Sequence, residues 1–473
     1  MLSSVPSNAL SEPQAHPGSF RDPSGFLFHH NGVLYRQINP IYAPDYEHLI
    51  SSGLYKELVE RGLLIAHQEV EAGRFGTTGA HKMIQPVLVP FISYPYEWCF
   101  SQLKAAALLT LEIERAALRS GMTLKDASAY NVQFSGGKPI WIDTLSFERY
   151  EEGKPWVAYR QFCQHFLAPL ALVVYRDGRL SQMSCLFVDG VPLDLASSLL
   201  PWRTKWNLSL AAHLHLHAMA QKHLSGFQAR SRSVRLSLRS LEALLEDLRG
   251  TVSSLRWDPP GSSWSNYYET STYTPESLET KGKIIGSFLE RIHPAPKTGW
   301  DLGANTGRFS RIPSGKGILT LAFDADPACV ELLWRQTQKD GEKGILPLVL
   351  DLSNPSSAIG WAHQERSSLA ERGPADLVMA LALVHHLRIG NQVPFTHLAK
   401  WLQSISRWLV IEWVPKEDSQ VSSLLAARKD VFTDYTPQEF ESAFSRHFTV
   451  EGKEPVAETG RTLYLMKNKR GPA

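Results

Sequence analysis

The sequence predicts an α/β protein in which a mostly parallel C-terminal β-sheet follows an α+β domain. From residue 276 onward, apolar strand-like runs alternate with helix-like segments, which is typical of a parallel sheet covered by helices on both faces. The last two strand-like runs, FTVEGKEP and RTLYLMK, are separated by a short turn-like segment, which predicts an antiparallel hairpin at the sheet edge. The chain of 473 residues is too long for one ordinary core, which favours about two or three domains.

The C-terminal sheet is predicted to have seven strands, counting the terminal hairpin. A helix over LETKGKIIGSFLERI precedes the first strand, and further helices are predicted from Pro327, near residues 394–405 and over TPQEFESAFSRHF. The five strands before the hairpin are predicted at residues 300–302, 318–323, 345–350, 376–384 and 408–414. Their near-continuous apolar sequences fit strands that are buried on both faces.

Changes in composition divide the chain into four parts. Residues 1–20 are predicted to be a flexible tail, 21–225 an α+β domain, 226–262 a connecting helix and linker, and 263–473 the C-terminal domain. The connecting helix is predicted over VRLSLRSLEALLEDLRG because its leucines fall largely on one helical face. The prolines and glycine of WDPPG then end it.

Composition excludes several classes of partner. Lys and Arg together number 49 against 47 Asp and Glu, and a net charge of +2 makes no electrostatic case for an obligatory nucleic-acid partner. The 4 cysteines lack metal-ligand or disulfide-framework spacing, so no metal site is predicted and a reduced, cytoplasmic location is expected. No signal peptide is recognisable, and no apolar run reaches the roughly 20 residues that cross a bilayer.

The most informative segment is TGWDLGANTGRFS at residues 298–310, where an acid and a glycine-rich turn follow a buried strand. In a parallel sheet, ligands bind at the carboxyl ends of the strands, and glycine there lets the backbone approach a cofactor closely. The turn lacks the Lys-Ser/Thr ending of a phosphate-binding loop. It also departs from the G-x-G-x-x-G spacing of dinucleotide-binding dehydrogenases.

Polar residues also follow the later strands of the predicted sheet. The second strand ends in FDADP, where Asp324 is suited to accept hydrogen bonds from a ribose diol. The third ends at Asp351, and the fourth leads into a histidine pair, His385 and His386. Glu412 lies at the end of the fifth strand and is expected to face the same crevice.

The series DLGANTG, FDADP, LDL and ALALVHHL resembles the motifs of class I S-adenosyl-L-methionine (SAM) dependent methyltransferases, which have a Rossmann-like sheet. The resemblance covers about the last 200 residues, and the terminal hairpin suits the same family. It implies that the turn containing Gly303, Ala304, Asn305 and Gly307 cradles the methionyl part of SAM, with Asp301 in the acidic motif position. It further implies cofactor contacts from the later strand ends: Asp324 or Asp326 to the ribose, and Asp351 with Leu352 to the adenine.

Methyl transfer to a hydroxyl or amine needs alignment of the acceptor and removal of a proton. We predict His385 as the base and Glu412 as the second choice; the alternative for His385 and His386 is a packing role. Adjacent histidines on a strand point to opposite faces, so the pair is not predicted to bind a metal. Three tyrosines before the first helix of the C-terminal domain are predicted either to form a lid or to pack ordinarily: Tyr267, Tyr268 and Tyr273.

In the N-terminal half, LKDASAYNVQFSGGKPIWIDTLSFE at residues 124–148 resembles a kinase catalytic loop. Asp126 and Asn131 have D-x-x-x-x-N spacing, and Asp143 follows a Gly-Gly hairpin at a strand end. In kinases such residues act as base and magnesium ligands. The alternative is structural: Asp126 and Asn131 cap a turn and Asp143 ends a strand.

The kinase resemblance has departures. Lys125 stands where an arginine is expected, Thr144 and Leu145 replace Phe-Gly, and no glycine-rich phosphate loop is recognisable. A hairpin over residues 25–38 is expected to carry Arg36 into the position of the phosphate-binding lysine. The sequence therefore predicts a kinase-related scaffold and leaves open whether it transfers a phosphoryl group.

Taken over its whole length, the chain resembles bacterial nodulation-protein (NoeA-like) methyltransferases. This resemblance implies a small-molecule or glycan acceptor and leaves the acceptor atom and the oligomeric state open. Two alternatives to a methyltransferase remain from the sequence: a bifunctional or phosphotransfer enzyme that uses the kinase-like residues, and a non-catalytic interaction protein that binds SAM.

Overall fold

The computed structural model shows a seven-stranded sheet in the C-terminal half and a five-stranded sheet near the N-terminus. Two two-stranded ladders complete the described β-structure. Among the described residues, no helix combines the length and the apolar composition needed to cross a membrane. The structure describes residues 14–75, 79–217, 235–261, 274–426 and 429–470.

The N-terminal sheet is antiparallel, with strand order β1-β2-β3-β5-β4. Its strands are β1 (Gln14–Ala15), β2 (Gly25–His30), β3 (Val33–Ile38), β4 (His67–Val70) and β5 (Lys82–Pro86). The hairpin predicted over residues 25–38 is confirmed: Asn31 and Gly32 form its two-residue turn with φ values of 52° and 75°. The predicted flexible tail is wrong from Gln14 on, because β1 pairs with the edge of β2.

Helices and two short ladders form the rest of the N-terminal half. The ladders pair β6 (Met122–Leu124) with β9 (Phe147–Arg149) and β7 (Val132–Ser135) with β8 (Lys138–Trp141). The helices are α1 (Ala43–Ser51), α2 (Leu54–Glu60), α3 (Phe100–Arg119), α4 (Tyr159–Phe162), α5 (Ala168–Tyr175), α6 (Met183–Leu186), α7 (Leu193–Leu199), α8 (Leu208–Leu210) and α9 (Leu238–Ser254). A π-helical turn, Cys163–Leu167, joins α4 to α5, and a second, Ala211–Leu216, follows α8.

Helix α9 contains most of the segment predicted to be a connecting helix. Leu241, Leu245 and Leu248 are fully buried in the same hydrophobic core as α3. The leucine face was therefore predicted correctly, but it seals the core of the N-terminal half instead of spanning between two units.

The C-terminal sheet has strand order β12-β11-β10-β13-β14-β16-β15. Its strands are β10 (Thr298–Leu302), β11 (Leu319–Asp324), β12 (Ile345–Val349), β13 (Ala375–Ala380), β14 (Ser406–Trp413), β15 (Phe448–Pro455) and β16 (Thr462–Asn468). The first five are parallel and β16 is antiparallel to both of its neighbours, as the sequence predicts. The accompanying helices are α10 (Pro275–Glu290), α11 (Arg311–Gly315), α12 (Pro327–Asp340), α13 (Phe395–Ile405), α14 (Ser419–Ala426) and α15 (Pro437–Ser445).

The strand order places a crevice at the centre of this sheet. From β10 the chain first adds β11 and β12 on one side and then returns to add β13 and β14 on the other. The connections on the two sides leave the carboxyl ends of β10 and β13 in opposite directions, which opens the space where ligands of such sheets bind.

The two halves of the chain share one hydrophobic core, so they do not pack as separate units. Phe134 of the N-terminal half makes an edge-to-face contact with Trp334 of α12, with 5.3 Å between ring centroids. The buried Glu97 forms an ion pair with Arg372, two of whose nitrogens contact the carboxylate. The buried Glu331 of α12 accepts hydrogen bonds from the backbone and hydroxyl of Ser101.

Candidate functional site

A cavity of about 960 Å³ lies at the carboxyl ends of β10, β11, β12 and β13. Most of its lining comes from the strand ends for which the sequence predicts ligand contacts. A second part of the lining comes from residues 173–179 of the N-terminal half and from residues 257–261. The cavity is therefore enclosed by both halves of the chain.

The glycine turn forms one wall of this cavity. Gly303 has a φ of 76° and Asn305 a φ of 53°, and both line the cavity together with Ala304. The amides of Gly303 and Ala304 both donate to the carbonyl of Phe323 at 2.8 Å, which holds the turn against β11. A positive φ is a conformation that glycine adopts without strain, and this explains Gly303.

Gly307 has a different role from the other residues of the turn. It does not line the cavity; a Cβ at this position would lie 2.5 Å from a methyl carbon of Leu333 on α12. Gly307 thus allows the turn to pack against the helix that follows β11, and its φ of 76° requires glycine for a second reason.

Asp301, at the end of β10, is buried beneath the turn and lines the cavity. Its carboxylate accepts a hydrogen bond of 2.6 Å from the hydroxyl of Ser310. Burial raises the pKa of Asp301 to about 6, an effect that the Ser310 hydrogen bond and the nearby Lys281 ammonium partly offset.

Asp324 is the last residue of β11 and Asp326 follows the strand, and both line the cavity. The Asp324 carboxylate accepts backbone hydrogen bonds from Asn305 at 2.8 Å and from Asp326 at 2.9 Å, so it connects the glycine turn to the next loop. Burial raises the pKa of Asp324 to about 6. Asp326 caps α12 by accepting from the Ala328 amide at 2.8 Å.

Asp351 and Leu352 follow β12 and line the cavity at a more open position. The Asp351 side chain is exposed and accepts hydrogen bonds from the amide and hydroxyl of Ser353, at 2.8 and 2.7 Å. The structure thus brings together three carboxylates that are distant in sequence: Asp301, Asp324 and Asp351.

The histidine pair lies differently from the prediction. Strand β13 ends at Ala380, Ala382 has a φ of 49°, and the chain turns into a π-helical turn at His386–Gly390. The two rings therefore contact each other, with centroids 4.1 Å apart, and do not point to opposite faces of a strand. The predicted strand over 376–384 is too long, because the backbone turns at Ala382.

Of the two histidines, His386 lines the cavity and His385 does not. His385 is completely buried, and burial together with His386 holds its pKa well below the usual range. Burial also lowers the pKa of His386, to about 4, so the imidazole facing the cavity is neutral at physiological pH. The geometry thus disagrees with the prediction of His385 as the base.

Glu412, the second predicted base, does not face the cavity. Its carboxylate is buried, forms an ion pair of 2.7 Å with the ammonium of Lys281 and accepts the Ala382 amide at 2.6 Å. Lys281 itself lines the cavity, and burial lowers the pKa of its ammonium. Lys281 was not predicted from the sequence; the signal that could have identified it is a lysine on the apolar face of the helix that precedes β10.

The N-terminal half also contributes residues that the sequence analysis missed. Val173, Gly178 and Trp257 line the cavity, although they lie far from the strand ends in sequence. A Cβ on Gly178 would lie 2.5 Å from the Trp257 ring, so this glycine lets the indole pack closely. No local motif marks these residues, because their position depends on contacts between the two halves.

The kinase-like residues come together in a separate cluster. Arg36, carried by the β2–β3 hairpin, forms an ion pair and hydrogen bond with Asp143. Asp143 also caps the following turn by accepting the Leu145 amide at 2.9 Å. The Asp126 carboxylate accepts hydrogen bonds from the Ser128 amide at 2.9 Å and the Gln161 side chain at 2.8 Å.

The charged groups of this cluster interact with neighbouring side chains of the protein. Burial raises the pKa of Asp126, Asp143 raises it further, and Asn131 is close enough to oppose the rise. The Lys125 ammonium donates to the Ser24 hydroxyl at 2.6 Å and lies 4.7 Å from the Tyr42 ring centroid. Within the described ranges, no group of three or more His, Cys, Asp or Glu is arranged to hold a metal ion.

The three tyrosines of the predicted lid lie outside the described residues: Tyr267, Tyr268 and Tyr273.

Several solved structures have partial similarity to the chain. Magnesium protoporphyrin IX methyltransferase (ChlM) from Synechocystis PCC 6803 with bound SAM is 14% identical, with a TM-score of 0.32; 45% of this chain and 93% of ChlM are covered. A SAM-dependent methyltransferase from Aquifex aeolicus is 15% identical, with a TM-score of 0.30, covering 44% of this chain and 98% of that one. The bifunctional kinase-methyltransferase WbdD is 15% identical, with a TM-score of 0.30, covering 45% and 43%. TM-scores of this size support no conclusion about this chain.

Similarity in sequence to one known protein extends over nearly the whole chain. No family model matches the chain. Nodulation protein NoeA of Rhizobium meliloti (strain 1021) is 35% identical over 468 residues, an alignment that covers 97% of both chains. This protein therefore belongs to the NoeA family.

Proposed function

We propose that the protein is a SAM-dependent methyltransferase that acts on a small-molecule or glycan acceptor. The observation that carries the proposal is the convergence of the glycine turn at Gly303 with Asp301, Asp324 and Asp351 on one cavity. The strand order suits the same family. It places a ligand crevice between the carboxyl ends of β10 and β13 and an antiparallel hairpin at one edge of the sheet.

The residues of the cavity fit the chemical groups of SAM. Gly303, Ala304 and Asn305 bring backbone close to the space where the methionyl part would lie. The Asp324 carboxylate accepts the backbone N–H groups of Asn305 and Asp326 and is also near that of Ala325. A carboxylate has about four acceptor positions, so it can still accept a ribose hydroxyl. Asp351 and the apolar Leu352 would contact the adenine amino group and ring.

The bound cofactor would supply an electrophilic methyl group on a sulfonium sulfur. The protein's own contribution is electrostatic and positional. Asp301 and Asp324 place negative charge near a cationic ligand, while the ion pair of Lys281 with Glu412 leaves Glu412 unsuited to act as a base.

We assign proton removal from the acceptor to His386. Its ring lines the cavity, and burial lowers its pKa to about 4, so the imidazole is neutral near pH 7. A pKa this low makes a weak base, so the assignment requires that the bound ligands raise the pKa of His386. His385 would act as a positioning residue, because its ring contacts that of His386 from a buried position.

Isothermal titration calorimetry with SAM and with S-adenosylhomocysteine tests the cofactor assignment. We expect the parent protein to bind both ligands, Asp324→Asn to weaken binding about ten-fold or more through loss of a charge-assisted hydrogen bond, and the exposed Asp340→Ala to bind like the parent. Failure of the folded parent protein to bind either ligand would refute the proposal.

A transfer assay separates the enzyme from a non-catalytic SAM-binding protein. Methyl-labelled SAM would be incubated with the parent protein and with fractions of small molecules and glycans. Label should appear in one fraction with the parent and be lost with His386→Ala, while cofactor binding by that variant is retained. Binding without transfer to any fraction would favour the interaction protein.

A further inference from the structure

A pair of exposed tryptophans lies on the turn Trp202–Trp206, which follows α7. Trp202 is 73% exposed and Trp206 is 77% exposed, and their ring centroids are 6.4 Å apart. Leu208, two residues later, is 85% exposed. Large apolar side chains exposed side by side mark interaction surfaces more often than isolated ones do.

The turn is held rigidly by buried polar contacts on its inner side. Thr204 points inward and is 1% exposed, and its hydroxyl contacts His215 Nε2 at 2.9 Å. The other ring nitrogen of His215 contacts the Ser197 hydroxyl of α7 at 2.7 Å. These contacts fix the turn to α7 and to His215, with the tryptophan side chains on its exposed side.

The turn itself carries two positive charges, and the acidic residues Glu246 and Asp247 lie beside Asn207 and Ser209, which follow it. Arg203 and Lys205 alternate with the tryptophans and are exposed, and the exposed Arg176 contacts the carbonyl of Leu199 at the end of α7. The carboxylate of Asp247 contacts this segment at Ser209 and His213. In the described part of this segment, residues 195–217, the sequence has no Asp or Glu, and its Lys and Arg residues are Arg203 and Lys205.

We propose that this surface, formed by Trp202, Arg203, Lys205, Trp206 and Leu208 and here called the tryptophan patch, docks on an anionic phospholipid membrane. Tryptophan is favoured at membrane–water interfaces because its ring is amphipathic. Lys and Arg beside it attract anionic headgroups while their stems remain in the interface. A nucleic acid would also attract the positive charges, but its phosphate backbone offers no apolar surface to cover the exposed Leu208.

The patch is close to the wall of the cavity. The Arg203 guanidinium lies 5.9 Å from the ring centroid of Tyr175, the last residue of α5, and Val173 and Val174 of that helix line the cavity. Docking would therefore hold one wall of the cavity near the lipid surface. The docking proposal itself does not depend on which ligand the cavity binds.

Vesicle co-sedimentation of the full chain tests this proposal. The vesicles are phosphatidylcholine alone, or an equal mixture of phosphatidylcholine and phosphatidylglycerol. We expect binding to the mixture and little to phosphatidylcholine. Arg203→Gln with Lys205→Gln should weaken binding roughly twenty-five-fold, at about 1 kcal/mol per lost charge. The control combines Lys56→Gln and Lys283→Gln, which remove two exposed lysines elsewhere on the surface, each in an exposed ion pair.

The tryptophans are tested separately. Trp202→Ala with Trp206→Ala should abolish detectable sedimentation at unchanged charge, while Trp361→Ala, which removes a ring that is 72% exposed elsewhere, should bind like the parent. Unchanged thermal unfolding would verify that the variants are folded. Three results would overturn the proposal: no binding of the parent to the anionic vesicles, patch variants that bind like the parent, or tighter binding to a DNA duplex that is independent of the tryptophans.

Discussion

Lys281 and Glu412 form a buried ion pair at the centre of the C-terminal domain, with 2.7 Å between Nζ and Oε2 and exposures of 1% and 0%. The pair joins α10 to β14, and Glu412 also accepts the amide of Ala382 at 2.6 Å. The positive-φ turn at Ala382 precedes the histidines, so this ion pair supports the backbone that places His386 at the cavity. Its role is to shape the site.

The first prediction concerns the stability of this pair. Lys281→Met should lower the free energy of unfolding by about 1–3 kcal/mol, because the buried Glu412 carboxylate loses its nearer cation and keeps only Arg461, which lies 4.0 Å away and is shared with Asp418. Lys281→Met combined with Glu412→Gln should recover most of the loss, since both charges are removed and glutamine can still accept the Ala382 amide. Denaturant unfolding of both variants measures the difference. A double variant as unstable as the single one would contradict this role.

A second prediction follows from the raised pKa values of the two cavity carboxylates. Burial raises the pKa of Asp301 and of Asp324 to about 6, so both are mostly protonated at about pH 5 and mostly ionised at about pH 7. A cationic ligand favours the ionised forms, so the affinity for SAM should rise about ten-fold or more over this interval. S-adenosylhomocysteine lacks the sulfonium charge and should show a weaker pH dependence.

Calorimetry at several pH values measures this difference, and Asp301→Asn is the informative variant. It can keep the contact with Ser310 but cannot ionise, so its SAM affinity should be lower near pH 7 and flatter with pH. Equal pH dependence of the two ligands in the parent would show that the carboxylates do not sense the ligand charge.

The third prediction separates the two reasons for glycine in the turn. Gly303→Ala and Gly317→Ala both place alanine at positive φ, 76° and 80°, without a clash, and each should cost roughly 1–2 kcal/mol of stability. Gly307→Ala adds a clash with Leu333 and should cost about 1–3 kcal/mol more. Only Gly303→Ala should weaken SAM binding beyond its effect on stability, because Gly303 lines the cavity and Gly317 does not.

Much of the site was predictable because its signals are local. Asp301, Asp324 and Asp351 lie at or just after the carboxyl ends of apolar strands, and the carboxyl ends of parallel strands meet at one edge of a sheet. The histidine geometry was not predictable, since the end of β13 depends on Glu412 accepting the Ala382 amide, a contact between residues 30 positions apart. The contribution of Trp257 depends on packing between the two halves, which no periodicity records.

The last prediction concerns Arg36 and Asp143, the residues for which the kinase resemblance suggested a catalytic role. Because Arg36 occupies the Asp143 carboxylate, we expect this pair to tie the β2–β3 hairpin to the loop after β8, with no binding of magnesium-ATP to the parent protein.

Arg36→Met should lower the free energy of unfolding by about 1–3 kcal/mol, since Asp143 loses a charged partner in a half-buried position. Arg61→Met, which removes exposed ion pairs with Glu57 and Glu112, should cost less than about 1 kcal/mol. Thermal and denaturant unfolding test the stability difference, and titration with magnesium-ATP tests the second part: binding by the parent that disappears in Asp143→Ala would favour phosphotransfer over a structural role.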